Sequence, residues 1–162
     1  MGRLKERIEV AVNALATLTS LPLGESVNDV VRDAAIQRFE HTFEAVWKAA
    51  QLYLREKEGL EQGSPKGVVR ACLQVGLLTE DASRLAMVMV DDRNLTGRTY
   101  NEVLAQRIYA NLKGYADFMA DWLQAMAVRS EECYAMEGVR NENIMIYMFS
   151  RKQEFWLKIF TQ

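Results

Sequence analysis

Ile36-Gln37-Arg38-Phe39-Glu40-His41-Thr42-Phe43-Glu44-Ala45-Val46-Trp47-Lys48-Ala49-Ala50-Gln51-Leu52-Tyr53 places Ile36, Phe39, Phe43, Val46, Ala50 and Tyr53 at alternating steps of three and four. That spacing is a bundle seam: it keeps one apolar face of a helix turned toward its neighbours over several turns. No proline or glycine interrupts the chain between Gly24 and Gly59. The spacing therefore predicts one long helix ending near Glu58, with Ser26 as a hydroxyl cap and Asp29 as an acid in its first turn. A helix of roughly 30 residues is about 45 Å long. Alone it would be marginal, so it needs partners along most of its length.

Working outward, Leu4, Ile8, Val12, Leu15, Leu18 and Leu21 form a second helical stripe, which Pro22 and Gly24 end. Gly59 to Ser64 reads as a loop. Ser64-Pro65 follows as a cap with proline at the first helical position, and the short helix it starts ends near Gly76. Thr79 caps a further short helix carrying Leu85, Val88 and Met89. The apolar period breaks from Arg93 to Arg98, and Thr99 with Glu102 suggests a capping box. Leu104, Ile108, Leu112, Tyr115, Met119, Trp122 and Met126 mark the last long helix. The expectation is an all-α protein, an up-and-down four-helix bundle with short extra helices.

The bundle should occupy residues 1–128. Beyond Ala127 the character changes: Arg129 to Asn143 is polar, and Ile144-Met145-Ile146-Tyr147-Met148-Phe149 is continuously apolar. Such a run fits a buried strand or a buried helix equally well. Residues 129–162 are thus expected to be an extension packed on the bundle or on a second subunit.

Composition excludes several classes. The 162 residues suit one domain with a short appendage. Twenty basic against 22 acidic residues leave a net charge of −2, which does not suit a strongly basic nucleic-acid wrapper. No apolar run approaches the roughly 18 residues that span a bilayer, so no membrane association is expected. Two cysteines, Cys72 and Cys133, make no disulfide framework and suggest a reducing, cytoplasmic setting. One histidine, two distant cysteines, no glycine-rich phosphate loop and no nucleophile elbow point to no metal and no cofactor.

Two polar features stand out. Gln37, Glu40, His41, Glu44 and Lys48 recur at helical spacing beside the seam. A solvated face with a Glu44–Lys48 pair explains them, and so does a groove flanking the core. The second feature is Asp91-Asp92-Arg93-Asn94-Leu95-Thr96-Gly97-Arg98-Thr99-Tyr100, which gathers acids, arginines and a tyrosine at a helix–loop–helix junction. Arginine offers a planar fork of donors suited to phosphate oxygens. A capped turn with ion pairs would show the same residues.

Ile36-Gln37-Arg38-Phe39-Glu40 with Phe43-Glu44 and Trp47-Lys48, then Ser64-Pro65-Lys66, then Arg93-Asn94-Leu95-Thr96 with Thr99-Tyr100, resemble the nucleotidyltransferase substrate-binding family of the HEPN superfamily. The resemblance covers about residues 4 to 127. It implies a HEPN-like bundle that forms a homodimer and partners a minimal nucleotidyltransferase in a toxin–antitoxin module. Active HEPN toxins are metal-independent ribonucleases whose signature is arginine, four residues, histidine, with a tyrosine two further on. The partner enzyme silences them by adding AMP to that tyrosine. On this sequence the resemblance puts the arginine at Arg93, followed by Asn94, and the tyrosine at Tyr100, with Glu44 lining the same cleft. The histidine position holds Arg98. Histidine exchanges a proton near neutral pH, whereas arginine stays charged, so Arg98 can hold a phosphate but not act as an ordinary base.

Three readings follow. The chain is a ribonuclease toxin, active or weakened, that clamps RNA phosphates with Arg93 and Arg98. Or it is a non-catalytic partner that presents Tyr100 to a nucleotidyltransferase. Or it is a structural dimer whose junction is only a turn. The favoured expectation is a nucleotidyltransferase partner of ribonuclease ancestry with a degenerate motif.

Overall fold

In a computed structural model, which describes residues 2–130, five helices follow one another: α1 (Arg3–Thr19), α2 (Asp29–Tyr53), α3 (Pro65–Gln74), α4 (Glu80–Leu95) and α5 (Glu102–Arg129). Ile36, Phe39, Phe43, Val46, Ala50 and Tyr53 are all buried, so the seam read from the spacing is the face that packs. It meets α1 and α5. α1 runs antiparallel to α2, since Thr42 Oγ1 donates to the Ala14 carbonyl at 3.1 Å and Arg38 Nη1 to the Thr17 carbonyl at 2.7 Å. α5 runs parallel to α2: Arg32 pairs with Glu102 near the two helix starts, and Phe39 stacks on Tyr115 further along, with centroids 5.4 Å apart. α4 runs antiparallel to α5, because Asp92 meets Arg107 while Arg129 reaches the Val75 and Gly76 carbonyls at the opposite end. The chain therefore goes up through α1, down α2, up α4 and down α5, with α3 as the short extra helix. No strand occurs among the described residues.

The helix starts are set by side chains that satisfy orphan backbone donors. Ser64 accepts from the Gly67 N–H with Pro65 directly after it, and Thr79 accepts from Ala82, both as the sequence suggests. Two caps differ from expectation. Asn28, not Ser26, accepts from Val31 at the start of α2, and Asn101, not Thr99, accepts from Leu104 at the start of α5. In each case an asparagine closer to the first turn displaces the hydroxyl residue, because an amide oxygen caps at least as well as a hydroxyl. The end of α2 widens into a π-helical turn over Leu54–Glu58 and stops at Gly59, whose φ of +67° favours glycine.

α1 and α2 are joined by a loop that Tyr109 pins, its phenol bridging the Pro22 and Glu25 carbonyls. The apolar run at 144–149 and nearly all of the expected 129–162 extension lie outside the described residues.

Candidate functional site

The junction between α4 and α5 takes its shape from Asp92. This carboxylate is buried, with its residue 4% exposed. Tyr115 Oη donates to Oδ2 at 2.6 Å, Asn111 Nδ2 to the same oxygen at 3.2 Å, and Arg107 Nη2 to Oδ1 at 2.8 Å. The three donors sit four residues apart on α5 and so share one of its faces. Burial, and then the hydrogen bond to Asp92, hold the Tyr115 phenol well above the usual tyrosine range. It stays protonated and keeps donating. With Asp92 fixed to α5, α4 continues through Arg93, Asn94 and Leu95 before tightening into a 3₁₀ turn at Thr96–Arg98. The break in apolar period at Arg93 is thus not a helix end. It is where polar contacts take over the packing.

The side chain after Asp92 turns to α2. Arg93 Nη2 donates to Glu44 Oε1 at 3.2 Å, and Glu44 Oε2 accepts from Trp47 Nε1 at 3.0 Å. The Glu44–Lys48 pair that helical spacing suggests does not form among the described residues, because α4 brings Arg93 to Glu44 instead. Lys66 Nζ to Asp91 Oδ1, at 2.7 Å, ties α3 to the same stretch of α4. Arg93 Nε is buried and lacks an acceptor among the described residues. A buried donor left this way costs about 1–3 kcal/mol, and an anionic oxygen would satisfy it.

The structure joins Arg93 to Glu44 through an ion pair. Asn94, Arg98 and Tyr100 are exposed along the junction, and among the described residues their side chains make no hydrogen bond or ion pair with Arg93 or Glu44. Tyr100 is 88% exposed. The other described tyrosines are engaged: Tyr53 and Tyr115 are buried, and Tyr109 holds two loop carbonyls. His41 is exposed on α2.

Sequence reasoning passed over Asp92 and its partners. The signal was present in Arg107, Asn111 and Tyr115, a hydrogen-bonding row at spacing four beside the apolar stripe of α5. Among the described residues no group of three or more histidine, cysteine, aspartate or glutamate side chains could hold a metal, and no helix is long and apolar enough to cross a membrane. Cys72 is buried on α3, and burial pushes its thiol up to about 12, which makes it a poor nucleophile.

Residues 6–128 match the family described as nucleotidyltransferase substrate binding protein like. The chain belongs to that family. Among solved structures, it is similar to a protein from Thermus thermophilus, at 58% identity and a TM-score of 0.70 over 72% of this chain and 98% of that one. It also shares its fold with a chain from a crystal structure of a toxin–antitoxin with AMP-PNP, at 14% identity and a TM-score of 0.65 over 78% of this chain and 99% of the other. No curated protein matches. Within this nucleotidyltransferase substrate-binding family member, the match spans both elements that build the junction, Glu44 on α2 and Arg93 to Tyr100 at and beyond the end of α4.

Proposed function

We propose that this chain is the HEPN-type helical partner of a minimal nucleotidyltransferase in a toxin–antitoxin-like module, and that Tyr100 is the side chain the enzyme modifies. The observation that carries this reading is the contrast among tyrosines: Tyr100 is 88% exposed at the junction, whereas Tyr53, Tyr109 and Tyr115 are buried or hydrogen-bonded. In the transfer, the Tyr100 phenol oxygen attacks the α-phosphorus of ATP. The new O–P bond forms as the bond to pyrophosphate breaks, and the phenol proton passes to a base of the enzyme. Family membership supports the choice of partner. The bundle of residues 1–128 is the functional unit, and it works as a homodimer through the apolar C-terminal extension or a face of the bundle. Mixing the chain with a minimal nucleotidyltransferase from the same genome tests the proposal: the two should co-elute, and Tyr100→Phe should co-elute but take no nucleotide label.

A second reading, a weakened ribonuclease, is favoured by the unsatisfied Nε of Arg93, which suits a phosphate oxygen. Arg98 can hold RNA without exchanging its proton. Arg98→His supplies a group that titrates near pH 6.5, and it should raise cleavage of single-stranded RNA, while Arg93→Ala abolishes it. A folded Arg98→His protein with no gain on any RNA removes the ribonuclease reading and leaves the modification reading intact.

A further inference from the structure

Away from the junction, a cleft of about 420 Å³ opens between the start of α1, the outer face of α2 near its end, and the loop that precedes α3. Arg3 and Arg7, one turn apart on α1, form one wall, while Lys48 rises from α2 and Arg55 from the π-helical turn that extends it. The antiparallel pairing of α1 and α2 brings these cations together although more than forty residues separate them in sequence. Glu61, Gln62 and Gly63 close the opposite wall, and that wall is preformed, since Gln51 Nε2 of α2 donates to the Gln62 carbonyl at 2.6 Å.

The charge in this cleft is not compensated. Four cations face one carboxylate, Glu61, among the described residues. Among the described residues none of the four takes part in an ion pair or a side-chain hydrogen bond, whereas Arg32, Lys66, Arg84, Arg93 and Arg107 are each ion-paired. The four stand on two helical segments held together by core packing, so the fold gathers charge of one sign that an anion would complement. The size falls within the roughly 300–1,000 Å³ of small-molecule sites. Among the described residues no aromatic side chain lines the cleft, so they offer no platform on which a base could stack. What it offers is a cluster of guanidinium and ammonium donors suited to phosphate oxygens.

We propose that this cleft binds a triphosphate chain, through Arg3, Arg7, Lys48 and Arg55, with little regard for the base attached. A triphosphate carries roughly four negative charges at neutral pH, close to the number of cations available. The same chemistry occurs on a free nucleoside triphosphate and on the 5′-triphosphate end of an RNA. The cleft lies one turn of α2 beyond Glu44, since Lys48 follows it by four residues, and the proposal does not depend on modification of Tyr100.

Isothermal titration of the full chain without divalent cations tests this, using inorganic tripolyphosphate, ATP, GTP, adenosine and two short oligoribonucleotides, one 5′-triphosphorylated and one with a 5′-hydroxyl. Tripolyphosphate, ATP and GTP should bind within about tenfold of one another, because nothing in the cleft reads a base, and adenosine should not bind. Arg7→Glu and Arg55→Glu should each weaken ATP binding by about tenfold or more, the size of one charge-assisted contact. Arg84→Glu, on α4, should leave it unchanged. Both cleft positions are exposed, so a matching thermal melt will show that the variants fold. Competition by the triphosphorylated oligonucleotide alone would assign an RNA end as a second source of the ligand and support the proposal. Equal binding of both oligonucleotides, with loss of both in Arg7→Glu, would make the cleft an RNA backbone track and overturn it. Absence of triphosphate binding, adenosine binding as tightly as ATP, or unaltered ATP binding in folded Arg7→Glu and Arg55→Glu would each overturn it as well.

Discussion

The seam of α2 and the junction after α4 are both held by α5, but through different forces. Phe39, Phe43 and Val46 bury apolar surface against α1 and α5, an interaction that depends on area and tolerates small shifts. Asp92 is buried by three donors on α5, an interaction that depends on direction and is costly when one partner is missing. One region makes the bundle and the other sets where Arg93 and the following loop stand. Damage to the first should therefore lower stability, while damage to the second should also displace the residues proposed to act.

The largest effect should come from the seam. Phe43 is fully buried, and Phe43→Ala should cost about 3–5 kcal/mol in denaturant unfolding. A loss below about 1 kcal/mol, the ordinary cost of a surface change, would mean that α2 packs through another face.

Asp92→Ala comes next. Removing the carboxylate leaves the Tyr115 hydroxyl buried without its acceptor and frees α4 from α5, at a cost of about 3 kcal/mol. Unlike the seam variant, it should also slow nucleotide transfer to Tyr100 under conditions where the protein remains folded. Equal transfer rates in folded Asp92→Ala and wild type would erase the distinction between the two regions.

Tyr115→Phe should have a smaller effect, about 1–2 kcal/mol near neutral pH, with a distinctive pH dependence. The Tyr115 phenol is raised above its unfolded value near 10, first by burial and then by Asp92. Its contribution is complete below about pH 10 and is lost as pH rises further toward the folded value. The stability gap between wild type and Tyr115→Phe should thus close in alkali. A gap independent of pH would place the hydroxyl outside the buried network.

The smallest effect concerns the caps. Asn101→Ala should cost about 1 kcal/mol, as loss of an N-cap does, whereas Thr99→Ala should stay within about 0.5 kcal/mol. The reverse order in thermal melts would restore Thr99 as the cap.

These differences track what was legible in the sequence. The seam was readable because apolar periodicity is local: Ile36, Phe39, Phe43, Val46, Ala50 and Tyr53 announce their common face without reference to the rest of the chain. Ser64-Pro65 and Thr79 were readable for the same reason. The caps at Asn28 and Asn101 were missed because neighbouring hydroxyl residues fit the same local rule, and only the first-turn geometry distinguishes them. At the junction, Arg93, Asn94, Arg98, Tyr100 and Glu44 were singled out through resemblance to a family. The row Arg107, Asn111 and Tyr115 at spacing four marked a polar face on α5, but nothing local tied it to Asp92, which lies 15 to 23 residues away on another helix. The basic cleft was equally hidden: Arg3, Arg7, Lys48 and Arg55 look like scattered surface charges until α1 and α2 are laid antiparallel.

Whether the junction presents Tyr100 to a nucleotidyltransferase can be read by peptide mass mapping of the chain after incubation with a minimal nucleotidyltransferase and ATP. A single AMP should appear on Tyr100, with none on Tyr53, Tyr109 or Tyr115, and none anywhere in Tyr100→Phe. AMP on another residue, or no AMP in a mixture where the two proteins form a complex, would contradict the assignment of Tyr100 as the modified side chain.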